Sequence, residues 1–301
     1  MSLRRQTALA SLIVILTGAL WGLYWIPVRR LDGLLPGAWG SLLIVALATL
    51  LLTPFAVVHR RRLRAADPLS LAAIALGGAA FVMYSIGLVH GRVANVILLF
   101  YLTPVWSTLI ARLGLGWPTP WPRYAAIGVG LAGLVLVLGD DGALPWPRGV
   151  GDWLGLASGL LWALASTGIR LRGETTGALA GNAVFCAGAT LAAGALALWL
   201  PSRPPLPAAS EWPALIGWAL AAGGLWWALS LSALLWATSR LEPARLGILL
   251  MSEVLIGVLS AALLAGEPFG LRTGLGALLV IAAALLELWP APRTGHDARR
   301  P

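Results

Sequence analysis

A carboxylate inside a long apolar run is expensive to bury, so it is the first place to look for chemistry. Glu253 is such a residue, about eight positions into the apolar stretch 246–265 of this 301-residue chain. On a helix that is roughly 12 Å of depth at 1.5 Å per residue. There it can meet a substrate ammonium group, exchange a proton, or serve only as a hydrogen bond between helices, and the residue alone leaves these open. Glu287 and Arg112 fall near the ends of their runs, where long side chains reach the interface.

Aromatic residues are the second group, and the 16 tryptophans separate by position. Trp117, Trp121, Trp146, Trp212 and Trp289 stand at run ends, the place of an interfacial belt. Trp21, Trp25, Trp106, Trp162, Trp226, Trp227 and Trp236 stand inside runs. At helical spacing, Trp21 shares a face with Thr17 and Tyr24, Trp162 with Ser158 and Ser166, and Trp226 with Gly223 and Ser230. Tyr84 lies with Ala80 and Gly87, and Tyr101 with Leu98 and Thr108. Faces that mix rings, hydroxyls and small residues suit a cavity wall better than lipid.

Enzymatic patterns are missing. His59, His90 and His296 lie in loops or at run ends, and neither HExxH nor GxSxG occurs. No paired carboxylates sit inside the runs for acid and base work. "GVGLAG", Gly128 to Gly133, imitates a dinucleotide-binding loop but lies inside an apolar run with no strand before it. The single cysteine, Cys186, excludes an intramolecular disulfide and a CxxC metal site. No catalytic residue, cofactor or metal is expected.

The elements that carry these residues follow from composition. Hydrophobic residues make up 59% of the chain and charged ones 11%, with a mean hydropathy of +0.85; an ordinary soluble domain has roughly 25% charged residues. The net charge is +9, and the basic residues are all arginine, clustered between apolar runs. That is how membrane loops are charged, so the lipid bilayer and not a nucleic acid is the expected partner. Arg4, Arg5 and the small residues Ala8 and Ala10 give the start signal-peptide features, but the apolar stretch runs on to Trp25 and many similar ones follow. It reads as a retained first span.

A spanning helix needs about 20 mostly apolar residues. Ten candidates result: 8–28, 38–58, 69–89, 94–113, 123–139, 151–169, 177–200, 212–236, 246–265 and 273–290. The fold class expected is an all-α integral membrane protein. Ten spans put both termini on one side, and that side collects 15 of the 21 arginines. The excess predicts cytoplasmic termini. Arg29, Arg30, Arg92, Arg148, Arg203 and Arg272 fall on the other side. The longest join, "PSRPPLPAASE" from Pro201, is an extended linker too short for a soluble domain.

The chain also repeats itself. "GALWGLYWIPVRR" from Gly18 aligns with "GLLWALASTGIRLR" from Gly159, setting Trp21 on Trp162 and Arg29 on Arg170. "ILLFYLTPVWSTLIARLGLGWP" from Ile97 aligns with "GILLMSEVLIGVLSAALLAGEP" from Gly247, with Thr103 on Glu253, Pro104 on Val254 and Gly116 on Gly266. Each half holds five runs, and an odd number forces the second copy to enter the membrane inverted, a plan used by secondary transporters. Gly151, Gly155 and Gly159, and likewise Gly270 with Gly274, form ladders of small residues suited to close helix packing.

"LTPVWSTLIARLGLGWP" (Leu102 to Pro118) and "SEVLIGVLSAALLAGEP" (Ser252 to Pro268) resemble the paired repeats of the EamA family in the drug/metabolite transporter superfamily. The second copy keeps Gly266-Glu267, whereas the first has Gly116-Trp117 where a glutamate is usual, and Val254 stands where a proline is common. The resemblance implies ten transmembrane helices as two inverted five-helix repeats, 8–140 and 150–290, with a cytoplasmic tail at 291–301. Within the family the chain is most similar to YddG-type exporters of aromatic and other neutral amino acids. That implies export across a bacterial inner membrane through a central cavity, and maps onto Trp21, Tyr84, Tyr101, Trp162, Ser230, Ser252 and Glu253.

Together with the faces read above, the expected substrate-binding set is Trp21, Tyr24, Tyr84, Asn95, Tyr101, Trp162, Trp226, Ser230, Ser252 and Glu253. The expected function is export of amino acids, aromatic and large neutral ones favoured, by alternating access and in a monomer. A broad drug or metabolite exporter is the alternative, and a membrane-embedded enzyme, a lipid-handling protein or a scaffold is less favoured. Proton antiport would rest on Glu253; facilitated export needs no such group and is preferred. Arg29 and Arg30 oppose the charge bias, and Asp32 is expected to neutralise them, with a role in shaping the external mouth as the other reading.

Overall fold

The computed structural model describes residues 3–116, 121–138, 146–172, 176–200, 204, 206–238, 240–241 and 243–287. Trp117, Pro118, Trp289, His296, Arg203, Arg293, Arg299, Arg300 and the tail 291–301 lie outside the described residues, as do the side chains of Arg4, Arg5, Arg123 and Glu287.

Every regular element among the described residues is a helix. The first half comprises α1 (Leu3–Gly22), α2 (Trp25–Asp32), α3 (Ala38–Val58), the short α4 (Arg60–Ala65), α5 (Pro68–His90), α6 (Val93–Phe100), α7 (Thr103–Leu109) and α8 (Trp121–Leu138). The second comprises α9 (Val150–Arg172), α10 (Ala178–Trp199), α11 (Trp212–Ala221), α12 (Leu231–Thr238), α13 (Pro243–Leu264) and α14 (Leu271–Glu287). Wider π-helical turns continue α7 over Ile110–Gly114 and join α11 to α12 over Ala222–Ser230. Among the described residues, seven helical stretches are long and apolar enough to cross a membrane, and Tyr124–Val137, Ile248–Leu264 and Leu271–Ala283 are shorter apolar helices. Leu50, Leu191, Leu198 and Leu263 are exposed on the outside of the bundle, as suits a surface that meets hydrocarbon.

Two prolines shape the first half. Pro27 has no N–H for the carbonyl of Leu23 and its ring would strike it in a regular helix. The chain therefore breaks between α1 and α2, turning through bonds from Leu23 N to Leu20 O and from Tyr24 N to Trp21 O, each 3.0 Å. Pro104 likewise leaves the Phe100 carbonyl without its helical donor, and the Thr103 hydroxyl donates to it instead at 2.7 Å. Both breaks carry a tyrosine, Tyr24 and Tyr101. Val254 replaces the proline in the second copy, and α13 runs through it unbroken.

Glycines let the helices close up. A Cβ on Gly155 would lie 3.1 Å from the Val96 carbonyl and one on Gly159 2.8 Å from that of Phe100, while Gly151 sits against Gly91. The ladder on α9 thus seats α6 alongside it in parallel. Gly270 lies before α14 and a Cβ on Gly274 would meet only the Phe269 ring, at 3.5 Å. The first glycine falls in the turn before the helix, so the two do not form a ladder along it.

The packing is paired between halves. α1 lies on α13 as α6 and α7 lie on α9; α5 packs on α9 and α10, α3 on α10, and α8 on α14. The four described glycines at positive φ also fall in two pairs, Gly37 (74°) with Gly177 (79°) and Gly116 (66°) with Gly266 (65°). Glycine is the residue that takes this backbone freely. Gly37 and Gly177 each lead into the second long helix of their half, and on those helices Thr49 and Thr190, 141 residues apart, share a hydrogen bond of 2.9 Å.

Candidate functional site

A cavity of about 270 Å³ lies inside the bundle, bordered by α1, α5, α6 and α7, α9, α10, α12 and α13. Its size falls near the lower end of the ~300–1,000 Å³ of ligand pockets, which fits a small molecule. Trp21, Phe81, Phe100, Tyr101, Trp162 and Phe185 wall it with rings, and Glu253 is the charged side chain in the lining. The rings pack edge to face: Phe81 stands 5.1 Å from Trp162, 5.2 Å from Phe185 and 5.3 Å from Trp21, centre to centre. These offset contacts are the favourable ones for aromatic quadrupoles and fix the walls.

Glu253 is held by two phenols. Tyr101 Oη donates to Oε2 at 2.9 Å and Tyr84 Oη to Oε1 at 3.2 Å. The break at Pro104 frees Tyr101 to reach across to α13. Gly18 makes the approach of α1 possible, since a Cβ there would collide with the Ser252 hydroxyl.

Beyond the cavity, away from the N-terminus, a polar chain closes the middle of the bundle. Trp227 Nε1 donates to Tyr24 Oη at 2.7 Å, and Tyr24 Oη and Ser41 Oγ each bond Ser85 Oγ, at 3.1 and 3.0 Å. The π-helical turn carries adjacent indoles that both reach the first span, because Trp226 Nε1 also donates to Leu20 O at 2.7 Å. Trp21 Nε1 donates to Ser230 Oγ at 3.0 Å, and that hydroxyl bonds the Trp226 carbonyl.

Further along the first span, Trp25 Nε1 donates to Ser260 Oγ at 2.9 Å. Arg29 then ties four segments together: Nε donates to Leu88 O at 3.1 Å, and Nη2 to Gly91 O and to Glu267 Oε1, both at 2.9 Å. Glu267 also caps α6, its oxygens accepting Val93 N–H at 2.8 Å and Ala94 N–H at 3.3 Å. A carboxylate there satisfies free helix N–H groups and complements the helix dipole. Arg92 Nη2 donates to Pro268 O at 2.9 Å beside it. The expectation that Asp32 neutralises Arg29 fails: Asp32 Oδ1 accepts Gly37 N–H at 2.7 Å in its own turn. Local sequence placed Asp32 next to Arg29, but the helix end aims the guanidinium at a loop 238 residues away.

Of the ten residues expected to bind substrate, Trp21, Tyr101, Trp162 and Glu253 line the cavity. Tyr84 stands behind Glu253 as a donor. Tyr24, Ser230 and Trp226 belong to the hydrogen-bonded layer beside it. Asn95 is buried on α6, and Ser252 spends its hydroxyl on the carbonyls of Leu249 and Ile15, at 2.8 and 3.3 Å. Sequence reasoning passed over Phe81, Phe100, Phe185 and Asn182, which look like ordinary interior residues of apolar runs. Asn182 alone carried a signal, as a buried amide. It donates to Trp227 O at 2.8 Å, Ala228 O at 3.2 Å and Ser232 Oγ at 2.9 Å.

The EamA-like transporter family matches residues 8–139 and again 149–289. The chain belongs to that family: a multi-pass, all-helical membrane protein of a class that moves drugs or metabolites. A solved crystal structure shares the fold with a TM-score of 0.61 at 20% identity, over 95% of this chain and 99% of that one. No curated protein matches the chain.

Proposed function

We propose that the protein exports small molecules that join an apolar, preferably aromatic, body to an amino group, by alternating access across a bacterial inner membrane with both termini in the cytoplasm. Amino acids with aromatic or large neutral side chains are the class the family resemblance puts first. One observation carries the reading: a two-tyrosine-held carboxylate at Glu253 faces a cavity walled by rings. The rings would hold the body and the carboxylate the ammonium.

Alternating access is supported by the pairing of the halves. The helix contacts exchange between halves, the positive-φ glycines recur in pairs, and Thr49 meets its own repeat counterpart Thr190. Such a pattern fits two five-helix units related by a pseudo-twofold axis, inverted because each has an odd number of spans. The cavity lies in the half of the bundle nearer the N-terminus, while the opposite end is sealed by Trp25–Ser260 and Arg29–Glu267. With cytoplasmic termini, this arrangement would put the sealed end on the periplasmic side and the cavity nearer the cytoplasm.

Counterflow of labelled amino acids into proteoliposomes, with a panel of competing amines, drugs and metabolites, tests the proposal. Accelerated exchange by at least one amine-bearing aromatic compound is expected. A folded, reconstituted protein that exchanges none of them refutes it. A broader drug or metabolite exporter is the second reading, favoured by the scarcity of polar groups in the lining, and exchange of uncharged aromatics would support it.

A further inference from the structure

We infer that the cavity selects cationic amines over zwitterions: its preferred ligand is an aromatic amine of single-ring or indole size with no carboxylate of its own. The inference rests on the reading of this cavity as the transport site and narrows its substrate class. Two observations on opposite sides of the charge balance carry it.

The first is the uncompensated carboxylate. Both oxygens of Glu253 accept phenolic O–H groups, at 2.9 and 3.2 Å, which satisfy them as acceptors without supplying a positive charge. The ion pairs Arg29–Glu267 and Arg172–Asp67 lie elsewhere. Among the described residues, no arginine or histidine lines the cavity. A cationic ligand would neutralise Glu253, and the faces of the surrounding rings favour the same charge.

The second is the lack of a place for a second carboxylate. A zwitterion needs a cation or a cluster of free donors to replace the water it leaves. Here most described donors around the lining are already engaged. The Asn182 amide serves Trp227 O, Ala228 O and Ser232 Oγ. Thr103 Oγ1 serves the carbonyls of Phe100 and Gly159, at 2.7 and 3.3 Å. Trp21 Nε1 serves Ser230. Asn95 and Ser252, which the sequence placed in the substrate-binding set, are not among the lining residues. What is left is neutral, the hydroxyl of Thr17 and the indole N–H of Trp162.

A matched series separates the charges at constant shape: tryptamine, tryptophan and indole-3-propionate. Binding of tritiated tryptamine to the purified, detergent-solubilised protein at pH 8 is competed with each unlabelled compound. Tryptamine is expected to compete about 30-fold more strongly than tryptophan, equivalent to about 2 kcal/mol, and indole-3-propionate not at all. Glu253→Gln should reduce tryptamine affinity about 30-fold or more and collapse the gap between tryptamine and tryptophan, while its melting temperature shows that it still folds. If that variant does not fold, Tyr101→Phe should narrow the same gap.

Tryptophan competing as well as tryptamine overturns the inference, as does a folded wild-type protein that binds none of the series. A preference for tryptophan would do so while leaving the exporter reading intact. Counterflow of tryptamine tests that reading separately: tight, charge-selective binding without exchange would preserve the ligand class and remove the transport role.

Discussion

The seal at the end remote from the cavity permits a quantitative test through Glu267→Gln. The substitution keeps the side chain's shape and removes its charge. Glu267 accepts two α6 backbone N–H groups and the Arg29 guanidinium, and hydrogen bonds to a charged group contribute roughly 1.5–3 kcal/mol each. Its side chain is 10% exposed and that of Arg29 31%, so the ion pair retains some solvent screening and adds only a fraction of that. One remaining acceptor oxygen preserves part of the cap, and a net loss of about 2 kcal/mol follows. If this contact exists in the sealed state and breaks when the end opens, the open population should rise about 30-fold.

The assay is thiol labelling at Val28→Cys, a position 2% exposed next to Arg29, in a Cys186→Ser background. Maleimide labelling of the detergent-solubilised protein should quicken about 10- to 30-fold in Glu267→Gln, since reactivity follows the open fraction. The charge exchange Arg29→Glu with Glu267→Arg should not restore protection, because it sets a cation on the N-terminus of α6. Unchanged labelling in Glu267→Gln, with the protein folded, refutes the idea that this pair holds the end shut. A lower melting temperature with no gain in labelling would do the same and leave the pair a purely structural contact.

Tyr101→Phe, which loses the 2.9 Å bond to Glu253, should weaken substrate binding more than Tyr84→Phe, which loses the 3.2 Å bond; equilibrium binding of tryptamine checks the order. Trp162→Ala or Tyr101→Ala should impair counterflow while leaving the protein inserted, and normal exchange by both would remove them from the transport path. Gly78→Ala drives a methyl into the Phe185 carbonyl, whereas Gly128 has open space around it. The first should lower the melting temperature by several degrees, as ~1–3 kcal/mol of overpacking does, and Gly128→Ala should not lower it.

Of the four expected residues that line the cavity, Tyr101 was read from its mixed helical face, and the other three were legible because each is an exception to its surroundings. Glu253 is a charge in an apolar run, and Trp21 and Trp162 occupy equivalent places in a repeated segment. The Pro27 and Pro104 breaks were legible in principle, since a proline inside a helix has a known local consequence. Phe81, Phe100 and Phe185 were not, because a phenylalanine in an apolar run looks the same whether it faces lipid, another helix or a cavity. The expected face of Trp226, Gly223 and Ser230 assumed an α-helical period, and the π-helical turn from Ala222 to Ser230 replaces it. That turn brings Trp227, which no periodic pattern singled out, to the Tyr24 hydroxyl.

Hydropathy, arginine placement and internal repetition are properties of neighbouring residues, and they were enough to determine a multi-pass helical protein of two related halves with a costly carboxylate in its ninth apolar run. Which groups meet is decided by how helices far apart in the chain lie on one another. Tyr84 and Tyr101 reach Glu253 across 169 and 152 residues, and Arg29 reaches Glu267 across 238. Side-chain charge is written in the sequence, but its partner depends on a fold in which close glycine contacts set the helix register. Only the tertiary structure could therefore pass over Asp32 and give Arg29 to Glu267.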